Sequence, residues 1–312
     1  MTMLDQQNEY AIGVDIGGTK TLLALVQGNG TIVQQQQFAT LPEQGVEDFI
    51  SRIEASILSL IAGMPEAGKL KGIGICSAGV IDAAELSIVY AANLGWHNFK
   101  LGAILQERFG VPVILGNDAN LAAVAEYVWG TQKQAKHLIY VTVSTGVGAG
   151  IISNGQLLQG ISDSAGEFGH ISVDLRGERC RCGNYGCLEN YSSGTALAHI
   201  ANERLEKREE PWTSKMVLEQ ADAGHLGALE LVQQAAFYLG NGIVTLIHLF
   251  NPTQIIFGGG VMSSENLLFV LMKQIVEQRA LPDMRKQVEL RRTNLGKEIA
   301  VLGAAGMFFM NE

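Results

Sequence analysis

No apolar run in this chain approaches membrane length; the longest, around residues 243–250, is interrupted by Thr245 and His248. Residues 1–9 are polar and lack the apolar core of a signal peptide. Positive charge is scarce: 22 Lys and Arg against 31 Asp and Glu give a net charge of −9. The electrostatic footprint of a nucleic-acid-binding protein is therefore missing. An anionic ligand would have to be held by local amides, by a cation, or by both. There is no low-complexity linker. Gly-x-x-x-x-Gly-Lys-Ser/Thr is absent, which excludes a P-loop, and no Gly-x-Gly-x-x-Gly opens a helix, which argues against a dinucleotide fold. Cysteines number only four. Their clustering and the polar N-terminal residues point to a cytoplasmic protein.

Three of those cysteines fall within eight positions, Cys180, Cys182 and Cys187, with His170 just upstream. One His and three Cys make a complete tetrahedral zinc shell, and a closed four-ligand shell is structural rather than catalytic. Gly183 and Gly186 let the chain turn tightly enough for the thiolates to converge. A redox pair would strand the third thiol. Cys76, in the apolar run Ile73-Gly74-Ile75-Cys76, reads as a small buried hydrophobe. Glu167 and Glu189 flank the metal loop. Together with Asn117 and His170 they offer acceptors and donors for a polyhydroxylated ligand. His170 can serve both readings, because one ring nitrogen can bind metal while the other donates a hydrogen bond. The loop Asn93-Leu94-Gly95-Trp96 is a further ligand-facing candidate, or a turn anchored by a buried Trp.

At 312 residues and 47% hydrophobic content, the chain suits two α/β domains. A strand over residues 10–16, a turn at Gly17-Gly18-Thr19, a strand over 21–26 and an Asn29-Gly30 hairpin signal open the chain. The same plan recurs: a strand over 138–143, a glycine-rich turn at 144–150, a short strand, then Asn154-Gly155. The two glycine turns differ in length, so this is not a strict repeat. A long apolar helix is predicted over 226–250, with a possible break at Gly240-Asn241-Gly242. The expected domains are 10–118, joined by a C-terminal helix over 299–312, and 119–298, carrying the metal loop 167–189.

Three glycine-rich turns follow apolar strands: Asp15-Ile16-Gly17-Gly18-Thr19-Lys20, Ser144-Thr145-Gly146 and its continuation, and Gly258-Gly259-Gly260. Glycines leave backbone N–H groups uncovered for a phosphate. Three such turns suit a nucleotide better than they suit punctuation. Asp15, at a strand end, can hold a Mg²⁺-bound water. Asp118 follows a strand and opens a helix. It reads equally as an N-cap or as a carboxylate base.

These motifs, in this order, resemble the ROK family of sugar kinases and related repressors. The resemblance runs from about residue 10 to the C-terminus. It rests most specifically on Gly166-Glu167-Phe168-Gly169-His170 and Cys180-x-Cys182-Gly183-x-x-Gly186-Cys187-x-Glu189. Within the family the bacterial glucokinase branch is most similar, through residues 92–96, 116–123 and 165–167. The resemblance implies a two-domain actin-like, sugar-kinase ATPase fold with an interdomain cleft. It implies Mg-ATP as donor, a hexose 6-hydroxyl as acceptor and a homodimer. It makes Asp118 the catalytic base and sets the sugar against Asn93, Asn117, Asp118, Glu167, His170 and Glu189. It sets the nucleotide near Asp15, Gly17, Gly18, Thr19, Lys20, Thr145, Gly146 and Gly259.

Glucose is the expected sugar, because a Glu stands at position 167 in similar glucokinases and N-acetylglucosamine kinases. Val143-Ser144-Thr145-Gly146 departs from the Leu-Gly-Thr-Gly of many glucokinases, and its Ser form also resembles N-acetylmannosamine kinases. N-acetylglucosamine and N-acetylmannosamine therefore stay open. A sugar-responsive regulator is the non-enzyme alternative. The Asp15 motif begins almost at once, which leaves no room for the helix-turn-helix that family repressors add.

Overall fold

The computed structural model describes residues 8–263 and 266–311. Two sheets dominate. In the first, β1 (Glu9–Ile16) pairs antiparallel with β2 (Lys20–Gln27), and β2 with β3 (Ile32–Ala39). β1 also pairs in parallel with β4 (Lys69–Ser77). β5 (Val80–Asp82), β6 (Ser87–Ala91) and β7 (Trp96–Phe99) form a small antiparallel sheet of their own. β8 (Val113–Gly116) returns to the main sheet, parallel to β4. The order is β3-β2-β1-β4-β8. β1 is buried along nearly its whole length, as expected of a strand covered on both faces. β3, with four consecutive glutamines, alternates between exposed and half-buried and forms the sheet edge.

In the second sheet, β9 (Leu138–Val143) pairs antiparallel with β10 (Val147–Ser153). A short β11 (Gln156–Leu157) follows the Asn154-Gly155 turn, whose residues have φ values of 52° and 76°. That pair of positive φ values is the hairpin turn for which Asn-Gly is suited. β12 (Gln254–Gly258) runs parallel to β9 and to β13 (Glu289–Arg292). The order β10-β9-β12-β13 repeats β2-β1-β4-β8, with the same strand directions.

The repeat is closer than the sequence suggests. The glycine-rich run 144–150 is not all turn, because Val147 to Gly150 already belong to β10 and pair with β9. Both hairpins therefore turn through three residues, Gly17-Gly18-Thr19 and Ser144-Thr145-Gly146.

The chain divides into two compact units. The first holds residues 8–136, 154–165 and 294–311 among those described, and the second 137–153 and 166–293. The division expected at 118/119 is displaced. The helix Asp118–Ala125, and the wider π turn Glu126–Gly130 that continues it, belong to the first unit because they pack on the C-terminal helix Ile299–Gly306. That packing depends on missing side chains. A Cβ on Gly303 would collide with the carbonyl of Leu121, and one on Gly13 with that of Val301. The first core centres on Ile12, Val14, Phe49, Ile53, Ile73 and Ile75, with the helix Val46–Ala62 on one face.

The core of the second unit gathers around the helix Leu226–Phe250, which runs 25 residues with no break at Gly240-Asn241-Gly242. Gly240 and Gly242 sit in it as close-packing positions. A Cβ on Gly240 would come within 2.7 Å of Ile275, and one on Gly242 within 2.9 Å of Phe168. Asn251, left-handed at φ 44°, ends the helix.

Candidate functional site

In the first unit the chemistry collects at the carboxyl ends of β1, β4 and β8. Asp15 and Cys76 are register partners across β1 and β4. The Cys76 thiol hydrogen-bonds the Asp15 carboxylate and packs against Leu121 and Ala304. Cys76 is the small buried residue that its apolar run predicts, and the strand register adds the contact with Asp15. Burial raises the Asp15 pKa first, the Asp118 charge raises it further, and Lys20 and Cys76 partly offset the rise. A buried carboxylate with a second carboxylate near enough to act on it forms a natural seat for a cation. Gly18 and Thr19 are exposed at the turn tip, and the Asn93 side-chain amide lies 3.3 Å from where a Gly18 Cβ would stand.

The N-cap question at Asp118 has a clear structural answer. The cap is Asn117, whose Oδ1 accepts from the Asn120 backbone N–H at 2.8 Å. Asp118 is the first helical residue and is exposed; its Oδ1 accepts from the adjacent Ala119 N–H at 2.9 Å. Its carboxylate is accessible, and the helix does not depend on it for capping.

The turn 17–19 is braced from behind. Thr40 Oγ1 donates to the Gly17 carbonyl at 2.7 Å, and the Thr40 N–H donates to the Thr19 carbonyl at 3.0 Å. Thr21 and Thr40 share a buried hydroxyl contact at 3.1 Å. Arg52 donates in turn to the carbonyls of Ala39 and Thr40. None of these residues stood out in the sequence.

In the second unit, Thr145 is exposed at the tip of its turn. Gly194 N–H donates to the Ser144 carbonyl at 2.7 Å. Gly259, at φ 88°, approaches the Val143 carbonyl so closely that a Cβ would collide. The parallel pairing of β9 and β12 thus sets the turns after Val143 and Gly258 side by side. Glu189 is half-buried, and its Oε2 accepts from the Val147 N–H at 3.0 Å. One of its oxygens therefore holds the hairpin.

His170, Cys180, Cys182 and Cys187 converge with all four ligand atoms within 4.8 Å of one another. Cys182 and Cys187 sulfurs are 3.6 Å apart, and Cys180 Sγ is 3.8 Å from His170 Nδ1. A tetrahedral zinc shell with bonds near 2.3 Å has edges of about 3.8 Å, so the spacing is compatible with zinc. The charges point the same way. Burial, then hydrogen bonds from Cys182 and Cys180 and their charges, push the Cys187 thiol up to about 12. A divalent cation is what allows three neighbouring thiols to ionise together. Nδ1 faces the thiols, while Nε2 lies 3.9 Å from Glu167 Oε2. That gap is too long for a direct hydrogen bond. Ligation through Nδ1 would leave the proton on Nε2, on the side of Glu167.

A duplicated strand order, with a three-residue glycine-containing turn in each copy, defines an actin-like ATPase fold. The chain belongs to the ROK family, whose model matches residues 11–310. It is similar to a glucokinase of Halalkalibacterium halodurans, 35% identical over 98% of this chain and 96% of that protein. It is also similar to a xylose repressor of Bacillus spizizenii, 33% identical over 98% of this chain and 79% of that one. Among solved structures, a ROK family glucokinase from Streptomyces griseus in complex with glucose and AMPPNP matches with a TM-score of 0.75. That match has 31% identity and covers 96% of this chain and 98% of the other. Among the described residues, no helix is long and apolar enough to cross a membrane.

Proposed function

We propose that this protein is an ATP-dependent sugar kinase that phosphorylates the 6-hydroxyl of glucose. The observation that carries the reading is Asp118, an exposed carboxylate freed of capping duty by Asn117 and set within the field of Asp15. Asp118 accepts the proton of the sugar hydroxyl as that oxygen bonds to the γ-phosphorus and the bond to the β–γ bridging oxygen breaks, releasing ADP. The transition state is loose, so positioning and charge neutralisation supply most of the rate. In the first unit, Gly17, Gly18, Thr19 and Lys20 offer amides and a cation to the phosphates, and Asp15 offers a carboxylate to a metal-bound water. In the second, Thr145, Gly146 and Gly259 offer the matching turns. Mg²⁺ carried with the nucleotide would neutralise phosphate charge in this acidic protein.

Asn93, Asn117, Glu167, His170 and Glu189 would orient the sugar. Glu167 accepts hydrogen bonds from neighbouring equatorial hydroxyls, and an axial 2-substituent would crowd it. A site built on such bonds rejects a sugar that leaves them unmade. A structural zinc would hold His170 with its Nε2–H toward Glu167. N-acetylglucosamine and N-acetylmannosamine are the alternative acceptors, and a homodimer is the proposed assembly.

The similarity to a xylose repressor supports a second reading, a sugar-responsive regulator. A coupled ADP-release assay across glucose, N-acetylglucosamine, N-acetylmannosamine, mannose, fructose and allose separates the two. Turnover on any of them establishes a kinase. Sugar binding without ATP turnover, together with retarded DNA in a mobility-shift assay, would establish the regulator.

A further inference from the structure

The loop that carries the Cys-His cluster meets the strand leaving the Ser144-Thr145-Gly146 turn at Val147. Both backbone groups of Val147 meet residues next to metal ligands. Its N–H donates to Glu189 Oε2 at 3.0 Å, and Glu189 stands two positions after Cys187. Its carbonyl presses on Gly169, beside His170, where a Cβ would find no room. The two arms that carry these contacts are tied to each other. Leu188 N–H donates to the Ile171 carbonyl at 3.0 Å, and Ser172 and Cys187 form an antiparallel bridge.

Val147 is the first residue of β10, directly after the turn Ser144-Thr145-Gly146. Glu189 also lies against Gly146, leaving no space for a side chain there. Downstream of Glu189 the same segment takes hold of the other side of the turn. Gly194 N–H donates to the Ser144 carbonyl at 2.7 Å, and Thr195 N–H to the Thr145 carbonyl at 3.4 Å.

We infer that the metal loop acts on the nucleotide as well as on the sugar, with Glu189 as the positioning residue that transmits its order to the Thr145 turn. This rests on the kinase reading above. A turn with a glycine at Gly146 has no conformation of its own to fall back on. Gripped at Val147 from both sides, it is preset for phosphate and loses little freedom on binding. With the loop slack, the same amides remain but are no longer aimed.

Calorimetric binding of Mg·ADP without sugar tests this, using the zinc-loaded protein, the protein after chelation, and the variants Glu189→Ala and Glu189→Gln in both states. Glu189→Ala should weaken Mg·ADP about ten-fold, the effect of losing one charge-assisted hydrogen bond. Glu189→Gln, which keeps an acceptor for the Val147 N–H, should stay close to wild type. Chelation should weaken wild type by at least as much, and in Glu189→Ala the two penalties should combine to less than their product, because both act at Val147. Hydrogen exchange at the Val147 amide should quicken in both cases.

Wild-type affinity in Glu189→Ala, or penalties that simply multiply in the chelated variant, would overturn the inference while leaving the kinase intact. Failure of the zinc-loaded wild type to bind Mg·ADP at all would remove the kinase reading and this inference with it. Should chelation unfold the chain, the metal-loaded comparison of Ala with Gln at position 189 still decides.

Discussion

Replacing Asp118 by Asn separates chemistry from architecture. The substitution keeps the side-chain shape and an oxygen for the Ala119 N–H, and it leaves the Asn117 cap untouched. What it removes is the proton acceptor. Loss of a general base costs about 10²–10⁴ in rate, which is about 2.7–5.5 kcal/mol of barrier. The stability change should be far smaller. A carboxylate in the first helical turn contributes about 0.3–1 kcal/mol through the helix dipole. Against that loss, the substitution relieves Asp15 of a neighbouring charge. Asp15 has a raised folded pKa, so its contribution is present at low pH and is lost as pH rises through that folded value. With Asp118 neutral the rise is smaller, so less is lost, and the variant should match or exceed wild-type stability at pH 7. Coupled ADP release gives kcat and KM, and thermal unfolding gives stability. A folded variant whose kcat stays within about ten-fold of wild type would refute the base assignment. A variant that fails to fold would show that Asp118 has a structural role that the Asn117 cap does not account for.

The metal cluster should hold one zinc per chain, with apparent binding of about 10–16 kcal/mol near neutral pH; metal analysis finding no zinc in fully active protein would contradict this. Glucose should give the highest kcat/KM, N-acetylglucosamine should follow and N-acetylmannosamine should be weak; a preference for N-acetylmannosamine would overturn the role given to Glu167. Gly303→Ala should lower stability by about 1–3 kcal/mol, because the methyl meets the fixed carbonyl of Leu121; an unchanged Tm would mean the two helices can separate freely. Thr40→Val should raise the KM for Mg-ATP several-fold with a smaller effect on kcat, and Thr40→Ser should restore it; equal loss in both variants would mean that packing, not the hydroxyl bond to Gly17, matters there.

The readings that held were those whose partners lie close in sequence. The four residues of the Cys-His cluster span residues 170–187 and converge, and Asn154-Gly155 announces its own turn. The readings that failed confused composition with conformation. Gly148 and Gly150 made β10 look like loop, yet they sit in a strand paired along its length with β9. Gly240 and Gly242 suggested a break, yet tertiary packing turned them into contact points. Long-range partners left no trace in local pattern. Thr40 reaches Gly17 across 23 residues, and Glu189 reaches Val147 across 42. Cys76 acquires its neighbour Asp15 only through strand register.

The two glycine turns, 17–19 and 144–146, show why such partners are needed. Each is short and contains glycine, which exposes amides but costs backbone order. Each is then stiffened by groups from elsewhere in its own unit, and the two braces differ in chemistry. The first is a buried pair of threonine hydroxyls backed by Arg52, a network of neutral hydrogen bonds with one charged member. The second is a carboxylate on a backbone amide, Glu189 on Val147, anchored beside the metal cluster. A neutral brace is indifferent to metal and to moderate pH. A carboxylate brace beside a metal loop is sensitive to whatever disturbs that loop. If the inference above is right, the first turn keeps its order without the Cys-His cluster and the second does not, so metal loss should be felt first at Thr145 and Gly146 rather than at Gly17 and Gly18.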